Sequence, residues 1–510
     1  MRSLLDLPPE LLLHIIHYTI PVGFEATALS CKTTFAASAR FQSQYNLRRK
    51  RFRNFHFSRK LEKPPGSTTQ SESGESWDEI TQQTGICITT TRALLEHIAQ
   101  DPSVPDYIQS IDLTGHGDHK DEDVHNLLRL EIPETLKDLV RASPIIHDVG
   151  CNPDDWMGGI QFSLIDADIF LLTLLSQVQS LALRPSWDDL NPTYDSFYRS
   201  VIPDHSNHSW SVLKRITHWA NRPKQFPHAP LSKLSTIQPC FDSGYEEKCS
   251  MTVYAPFLAI ESVSEVFLTS MIFFDDGYTG IAFEPIVNCY STNLRKLVFK
   301  TSVAGCKELE KLLSRIPNLE IFEFSHETKW HGCGFDWNPA AFLDTVQDVC
   351  ANNLKELSVV VDDPSQWPEG PEVVLTDMTR FEKLAVLEMD VDMLCGTQYD
   401  KSMQYTDYLD EFDYTGEAVF PKLVEILPAS IEEVKLRLNA FEDEDLECIS
   451  HLVEDLAGSR DIKLPNLKKL SLFVCVEGVL TLPKKARNRL GAAKRCGFLI
   501  LKPGSLVPLL

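Results

Sequence analysis

An apolar-x-x-apolar-x-apolar spacing returns nine times along the chain. The sets are Ile108/Ile111/Leu113, Val178/Leu181/Leu183, Val263/Val266/Leu268, Leu294/Leu297/Phe299, Leu319/Phe322/Phe324, Leu354/Leu357/Val359, Leu384/Leu387/Met389, Ile431/Val434/Leu436 and Leu467/Leu470/Leu472. The last two apolar positions of each set stand two apart, as a strand with one buried face requires. Asn293, Asn318, Asn353 and Asn466 precede four of the sets. Asparagine tolerates the left-handed conformation that ends a helix, so each predicts a helix-to-strand corner. Helices are predicted at 307–316, 340–350 and 445–456. From Val263 onward the sets start 31, 25, 35, 30, 47 and 36 residues apart. Helix, corner and strand in repetition predict an α/β solenoid over residues 86–482, with a parallel sheet inside and irregular helices outside.

A different pattern occupies the N-terminus. Pro8 and Pro9 suit a first helical turn, where a missing N–H costs nothing, and Glu10 favours the positive end of the helix dipole. Leu11, Ile15 and Tyr18 recur at helical spacing, as do Leu12 and Ile16, and Leu13 widens the apolar surface further. So small a segment has no core to absorb that much apolar surface, which predicts a partner.

Composition narrows the class. The 510 residues are 43% apolar and 24% charged, which suits a soluble globular protein. The longest apolar run, near Ile169–Leu175, is too short to span a bilayer, and Asp6 and Glu10 interrupt the leucines that a secretory signal would need. No membrane association is expected. Thirteen cysteines form no CxxC pair, which suits reduced thiols in cytoplasm or nucleus. The net charge of −23 is uneven: residues 1–60 sum to +7, so the other 450 carry −30. An acidic body repels phosphate, so nucleic acid is not the expected ligand. Residues 478–510 hold seven Lys/Arg and no acid, and residues 483–510 read as a basic tail.

The N-terminal residues Leu7, Pro8, Glu10, Leu11, Leu12, Ile15, Ile16 and Tyr18, followed by Ala28, Leu29, Ser30, Cys31, Lys32 and Phe35, resemble the F-box. This is the three-helix module that docks substrate receptors on SCF-type ubiquitin ligases. The resemblance implies a small all-α domain over residues 1–45 and a docking face made by Leu7, Pro8, Leu11, Leu12, Ile15, Ile16, Leu29 and Phe35. It also implies an adaptor partner and, through that adaptor, cullin. The nine apolar sets resemble the leucine-rich repeats that follow F-boxes in such receptors. That family places Asn or Cys three residues past each strand; Asn439 and Cys475 conform, whereas Ser302, Glu327, Asp362 and Asp392 depart.

Between the two parts, residues 46–85 read as a basic helix and a flexible linker. Arg48, Arg49, Lys50, Arg51 and Arg53 read as a solvated helix face joining module to body, with a nuclear-import or nucleic-acid patch as the alternative. Residues 64–74 have linker composition.

Catalytic motifs are weak. His116, Asp118, His119, Asp121 and His125 are metal-compatible types, but a glycine-rich loop with no second cluster reads as polar surface. His326, Glu327 and His331 miss the i, i+4 spacing that puts two imidazoles on one helix face. His205 and His208 read as a surface loop. No catalytic residue, metal or cofactor is expected. Binding chemistry is richer: Tyr405, Tyr408 and Tyr414 interleave with Asp410 and Glu411 inside residues 362–417, whose 15 acids and three Lys/Arg sum to −12. Such a segment suits a basic protein substrate. Trp330, Phe335, Trp337 and Trp367 are further contact candidates. The expected role is that of a substrate-recognition subunit. A non-ligase F-box scaffold and a metal-dependent hydrolase are the alternatives.

Overall fold

The computed structural model describes residues 7–57, 88–114, 131–184, 187, 206–239, 249–275, 281–283, 285, 287–327, 337–362, 373–374, 377–398, 418–419, 421–438, 449, 451–474 and 499–501. They form a mixed α/β protein with a large parallel sheet and helices, and the chain divides into two compact units. Unit 1 is Met1–Cys240 with Ile260–Val263; unit 2 is Phe241–Ala259 with Ser264–Leu510.

Unit 1 opens with three helices: α1 (Pro9–Tyr18), α2 (Phe24–Leu29) and α3 (Lys32–Phe52). Pro9 takes the first helical position of α1, as the sequence predicts. A reciprocal cap starts α3, where the Thr34 N–H donates to Cys31 Sγ and the Cys31 N–H to Thr34 Oγ1. Leu12, Ile16, Phe24, Ala28 and Tyr45 are buried where the three helices pack. The predicted module boundary at residue 45 falls inside α3, which continues without a break to Phe52.

The parallel sheet of unit 1 starts directly after α3, inside the stretch expected to be helix and linker. Strand β1 (Asn54–His56) pairs with β2 (Ser110–Asp112), then β3 (Ser180–Ala182) and β4 (Thr236–Gln238). Phe55, Ile111, Leu181 and Ile237 stand in one register row, and all are buried. Helix α4 (Thr91–Gln100) precedes β2, with the Thr90 hydroxyl accepting from Ala93 N–H. Among the described residues four helices lie between β2 and β3: α5 (Glu134–Arg141), α6 (Pro144–Val149), α7 (Pro153–Phe162) and α8 (Leu164–Leu172). Helix α9 (Ser206–Ala220) precedes β4.

Unit 2 contains β5 (Cys249–Ser250), α10 (Ala255–Leu258), β6 (Glu265–Thr269), β7 (Met271–Phe273), β8 (Lys296–Ala304), α11 (Cys306–Leu313), β9 (Ile321–His326), α12 (Pro339–Cys350) and β10 (Glu356–Val361). It continues with β11 (Val373–Val374), β12 (Val386–Asp390), β13 (Gly396–Gln398), β14 (Ala418–Val419), α13 (Leu423–Ile426), β15 (Glu433–Leu438), α14 (Leu456–Lys463), β16 (Lys469–Val474) and β17 (Leu499–Leu501). Strands β6, β8, β9, β10, β12, β15, β16 and β17 pair in that order, every pair parallel. All nine apolar sets coincide with strands of the two units. In unit 2 their middle positions form one buried row, Val266, Leu297, Phe322, Leu357, Leu387, Val434 and Leu470. Helix α12 covers this core: the Phe342 ring centroid lies 4.5 Å from that of Phe324 and 6.3 Å from that of Phe322. A side sheet of β11, β13 and β14 includes one antiparallel pair.

The corners depart from expectation in an instructive way. Among the described residues the non-glycine positions with positive φ are Leu231, Ser270, Thr301 and Asp455; no corner asparagine is among them. The asparagines act through their side chains instead. Asn318 Nδ2 donates to Thr292 O, Asn353 Nδ2 to Pro317 O and Asn466 Nδ2 to Ala429 O, each at 2.9 Å. Each amide reaches the corner of an earlier repeat and occupies a carbonyl that no helix or strand would otherwise use. Beside them the backbone forms its own ladder: the Arg295, Glu320, Lys355, Ala385 and Glu432 carbonyls each accept from two successive N–H groups of the next strand's approach.

Helices predicted at 307–316 and 340–350 correspond to α11 and α12. Of the one predicted at 445–456, Ile449, His451 and Leu452 are helical, a turn over 453–455 separates them from α14, and residues 445–448 and 450 lie outside the described residues. Cys395 is disulfide-bonded, so the expectation of uniformly reduced thiols fails there, whereas Cys31, Cys151, Cys249, Cys289, Cys306 and Cys350 are free.

Candidate functional site

Helix α1 carries two apolar stripes, and the fold assigns them opposite duties. Leu12 and Ile16 point into the three-helix core, Ile16 with no exposed surface. They were expected on the docking face; packing against α2 and α3 removes them from it. The neighbouring stripe stays outside: Leu11 is 50% exposed, Ile15 half-buried and Tyr18 84% exposed. Leu29 at 74% and Phe35 at 51% extend the surface onto α2 and α3, Pro8 is exposed and Leu7 is half-buried. Val22 and Leu47 are also exposed and had not been singled out, because neither lies on a periodic stripe.

This concentration is specific. Among the described residues seven large apolar side chains are exposed, and six of them lie between Leu11 and Leu47; the seventh is Ile462. Scattered exposed leucines are ordinary, whereas a cluster confined to one small module marks a contact surface. Polar and aromatic groups border it. The His17 and Phe41 ring centroids lie 5.6 Å apart, and the Arg40 guanidinium sits 4.6 Å from the Phe41 centroid.

The basic run after the module is only in part a solvated face: Lys50 and Arg53 are exposed, Arg48 and Arg49 are half-buried and Arg51 is buried. Arg48 pairs with Asp101 at 2.7 Å and donates to Ser103, Arg49 pairs with Glu25 at 2.5 Å, and Arg53 donates to Gln109. Arg51 is buried, its guanidinium 5.2 Å from the Phe55 ring centroid and 5.5 Å from that of Phe52. Arg48 and Arg53 fasten the end of α3 to residues 101–109 and Arg49 ties it to α2, so these three cations are poorly placed to gather phosphates. Tyr45 completes the joint, its ring centroid 4.5 Å from that of Phe24 and 5.8 Å from that of Tyr107.

Other candidates resolve as follows. Trp337 is buried and stacks on His326 at 4.3 Å, so it packs the core rather than offering contact surface. His208 lies 3.4 Å from Cys151 Sγ. Among the described residues no group of three or more His, Cys, Asp or Glu side chains is placed to hold a metal ion. Burial pushes the Cys306 and Cys350 thiols up to about 11 and about 12, which leaves them protonated and unreactive at neutral pH. Asp390, one of the acids expected to attract a basic partner, is fully buried; it accepts from Val361 N–H at 2.6 Å and pairs with Arg437. Asp362 likewise accepts from Thr301 N–H and Ser325 Oγ.

Tyr405, Tyr408, Asp410, Glu411 and Tyr414 lie outside the described residues, as do His116, Asp118, His119, Asp121, His125, His205, His331, Trp330, Phe335, Trp367 and, of the tail 483–510, all but Leu499–Leu501, which form strand β17. Among the described residues no helix is long and apolar enough to cross a membrane. Comparison with protein-family models gives no match to this chain, and comparison with curated proteins gives none either.

Proposed function

We propose that the chain is a substrate-recognition subunit of an SCF-type ubiquitin ligase, in which α1–α3 act as an F-box and the repeated strand units act as a degenerate leucine-rich-repeat receptor. The supporting observation is the confinement of exposed apolar side chains to the three-helix module, in a chain whose remaining described surface carries one. Burying such a cluster in an adaptor groove gains roughly 25 cal/mol for each Å² of apolar surface removed from water. The receptor holds a bound protein near ubiquitin chemistry performed by other subunits, and its contribution to rate is proximity.

The test is co-purification of the full chain with the F-box-binding adaptor and cullin. Leu11→Asp combined with Phe35→Asp should abolish it, because each substitution places a charge in an apolar interface. Both side chains are exposed in the free protein, so the thermal midpoint should stay close to that of the parent. Undiminished recovery of adaptor and cullin with the double variant would overturn the reading.

A further inference from the structure

Residues 206–241 contain no Asp or Glu, yet they hold Lys214, Arg215, Arg222, Lys224 and Lys233, in a chain whose net charge is −23. The fold gathers part of this charge around an open hollow in unit 1, at the C-terminal end of α9 and the turn that follows. Its lining includes His147, Asp148, Arg215, His218, Trp219 and Phe226. The turn is held by Arg222 N–H donating to Trp219 O at 2.8 Å and Phe226 N–H to Arg222 O at 3.0 Å. Phe226 is thereby folded back onto Trp219, with ring centroids 4.3 Å apart and planes within 5°.

The charges in and beside the hollow are unequally committed. Asp148, its one acid, pairs with Arg215 at 3.2 Å and accepts from Trp219 Nε1 at 3.0 Å, which balances Arg215 and fixes the indole. Arg222 does not line the hollow but stands beside it, against the lining residue His218. It is exposed, and its Nη1 lies 2.6 Å from His218 Nε2. A guanidinium can only donate, so the ring nitrogen accepts and the imidazole is neutral. Burial, with Arg222 and Arg215 nearby, pushes the His218 pKa down in agreement. Arg222 is thus oriented by a neutral group, and among the described residues no carboxylate pairs with it. Lys224 is exposed two residues on. The negative end of the α9 dipole favours cations at this position.

We propose that this hollow docks an acidic peptide segment of a partner protein, a carboxylate pairing with Arg222 while an adjacent apolar side chain lies on the Trp219–Phe226 stack. A pre-oriented guanidinium suits bidentate carboxylate recognition, and a fixed aromatic pair adds contact area at low entropy cost. A long nucleic acid fits less well, because its many phosphates would meet the strongly negative remainder of the chain. The inference stands independently of the ligase reading.

The test uses the full chain and a fluorescein-labelled peptide of alternating glutamate and tyrosine, read by fluorescence anisotropy at low salt. The parent should bind it, and the lysine-tyrosine counterpart should not bind. Arg222→Glu should weaken binding by about tenfold or more, and adding Lys224→Glu should weaken it further. Both side chains are exposed, and unchanged circular dichroism will show that the variants fold. Equal affinity for parent and Arg222→Glu would overturn the proposal, as would tighter binding of a single-stranded oligothymidylate that Arg222→Glu also removes.

Discussion

Asp168 lies in a strongly apolar helix, α8, and four donor contacts converge on its carboxylate. Arg184 contributes Nε at 2.5 Å and Nη2 at 3.0 Å, Thr91 its hydroxyl at 2.5 Å and Trp187 its indole N–H at 3.1 Å. Asp168 and Arg184 are essentially without solvent contact, so the pair survives burial because every lone pair facing it is used. Asp168→Asn should therefore lower the unfolding free energy by roughly 3 kcal/mol or more, measured by urea denaturation, since Arg184 is left charged and poorly matched. The signal was present in the sequence, where an acid interrupts an apolar run, but its partner 16 residues away cannot be inferred from spacing. Histidines give a second residue-scale expectation. Burial pushes the pKa of both His97 and His56 below the ordinary value of 6.5, with Arg51 acting in the same direction. The unfolded chain then binds more protons than the folded one as pH falls below 6.5, so stability is present above that pH and lost below it. The urea midpoint should drop between about pH 7.5 and about pH 5.5, and His97→Gln should flatten that slope even if it lowers stability throughout.

The strand, as an element, was legible because its register needs nothing beyond its own side chains: two buried positions two apart, and a third one corner earlier, identify each repeat. Among the described residues eight of the 17 strands carry none of the nine sets, and the two of them in unit 1 escape the pattern for different reasons. Phe52, Phe55 and Phe57 follow the same spacing, but the arginines between and before them drew attention to charge; the arginine stems and rings are what make that strand's surroundings. At β4 the set Leu234, Ile237, Pro239 ends on a proline, which lies outside the apolar pattern. The corner asparagines were found at the right places with the wrong mechanism, because backbone preference is a property of one residue whereas the amide's carbonyl partner belongs to another repeat. That difference is measurable. Asn353→Ala should cost about 1 kcal/mol through the loss of one hydrogen bond, and Asn353→Gly should not be milder, as it would be at a left-handed corner. Asn318 and Asn466 stand four strand steps apart, about 19 Å, so their alanine substitutions should add.

At the scale of the whole molecule, the docking face was half legible: the stripes of α1 were readable, but which one faces inward depends on α2 and α3, whose packing the motif alone does not specify. The boundary drawn at residue 45 marks the end of a resemblance rather than of a structural part, since α3 passes through it and its C-terminal part is fastened both to α2 and to the rest of unit 1 by Tyr45, Arg48, Arg49 and Arg51. A continuous helix is a screw thread, advancing about 1.5 Å and turning about 100° for each residue. If α1–α3 dock on an adaptor as proposed, the compass bearing of whatever unit 1 holds, seen from that adaptor, is written in the number of residues in α3. One alanine inserted between Asn46 and Leu47 should leave adaptor binding intact yet swing the receptor by about 100°, so that different substrate lysines receive ubiquitin, as mass spectrometry of the products would reveal. An insertion of about seven residues, close to two full turns, should restore the original lysines more nearly than one residue does. Identical lysine patterns in all three would mean that the joint yields; otherwise chain length in this helix is an angular code, and under the proposed ligase role natural insertions there would change which lysines are modified without touching either proposed binding surface.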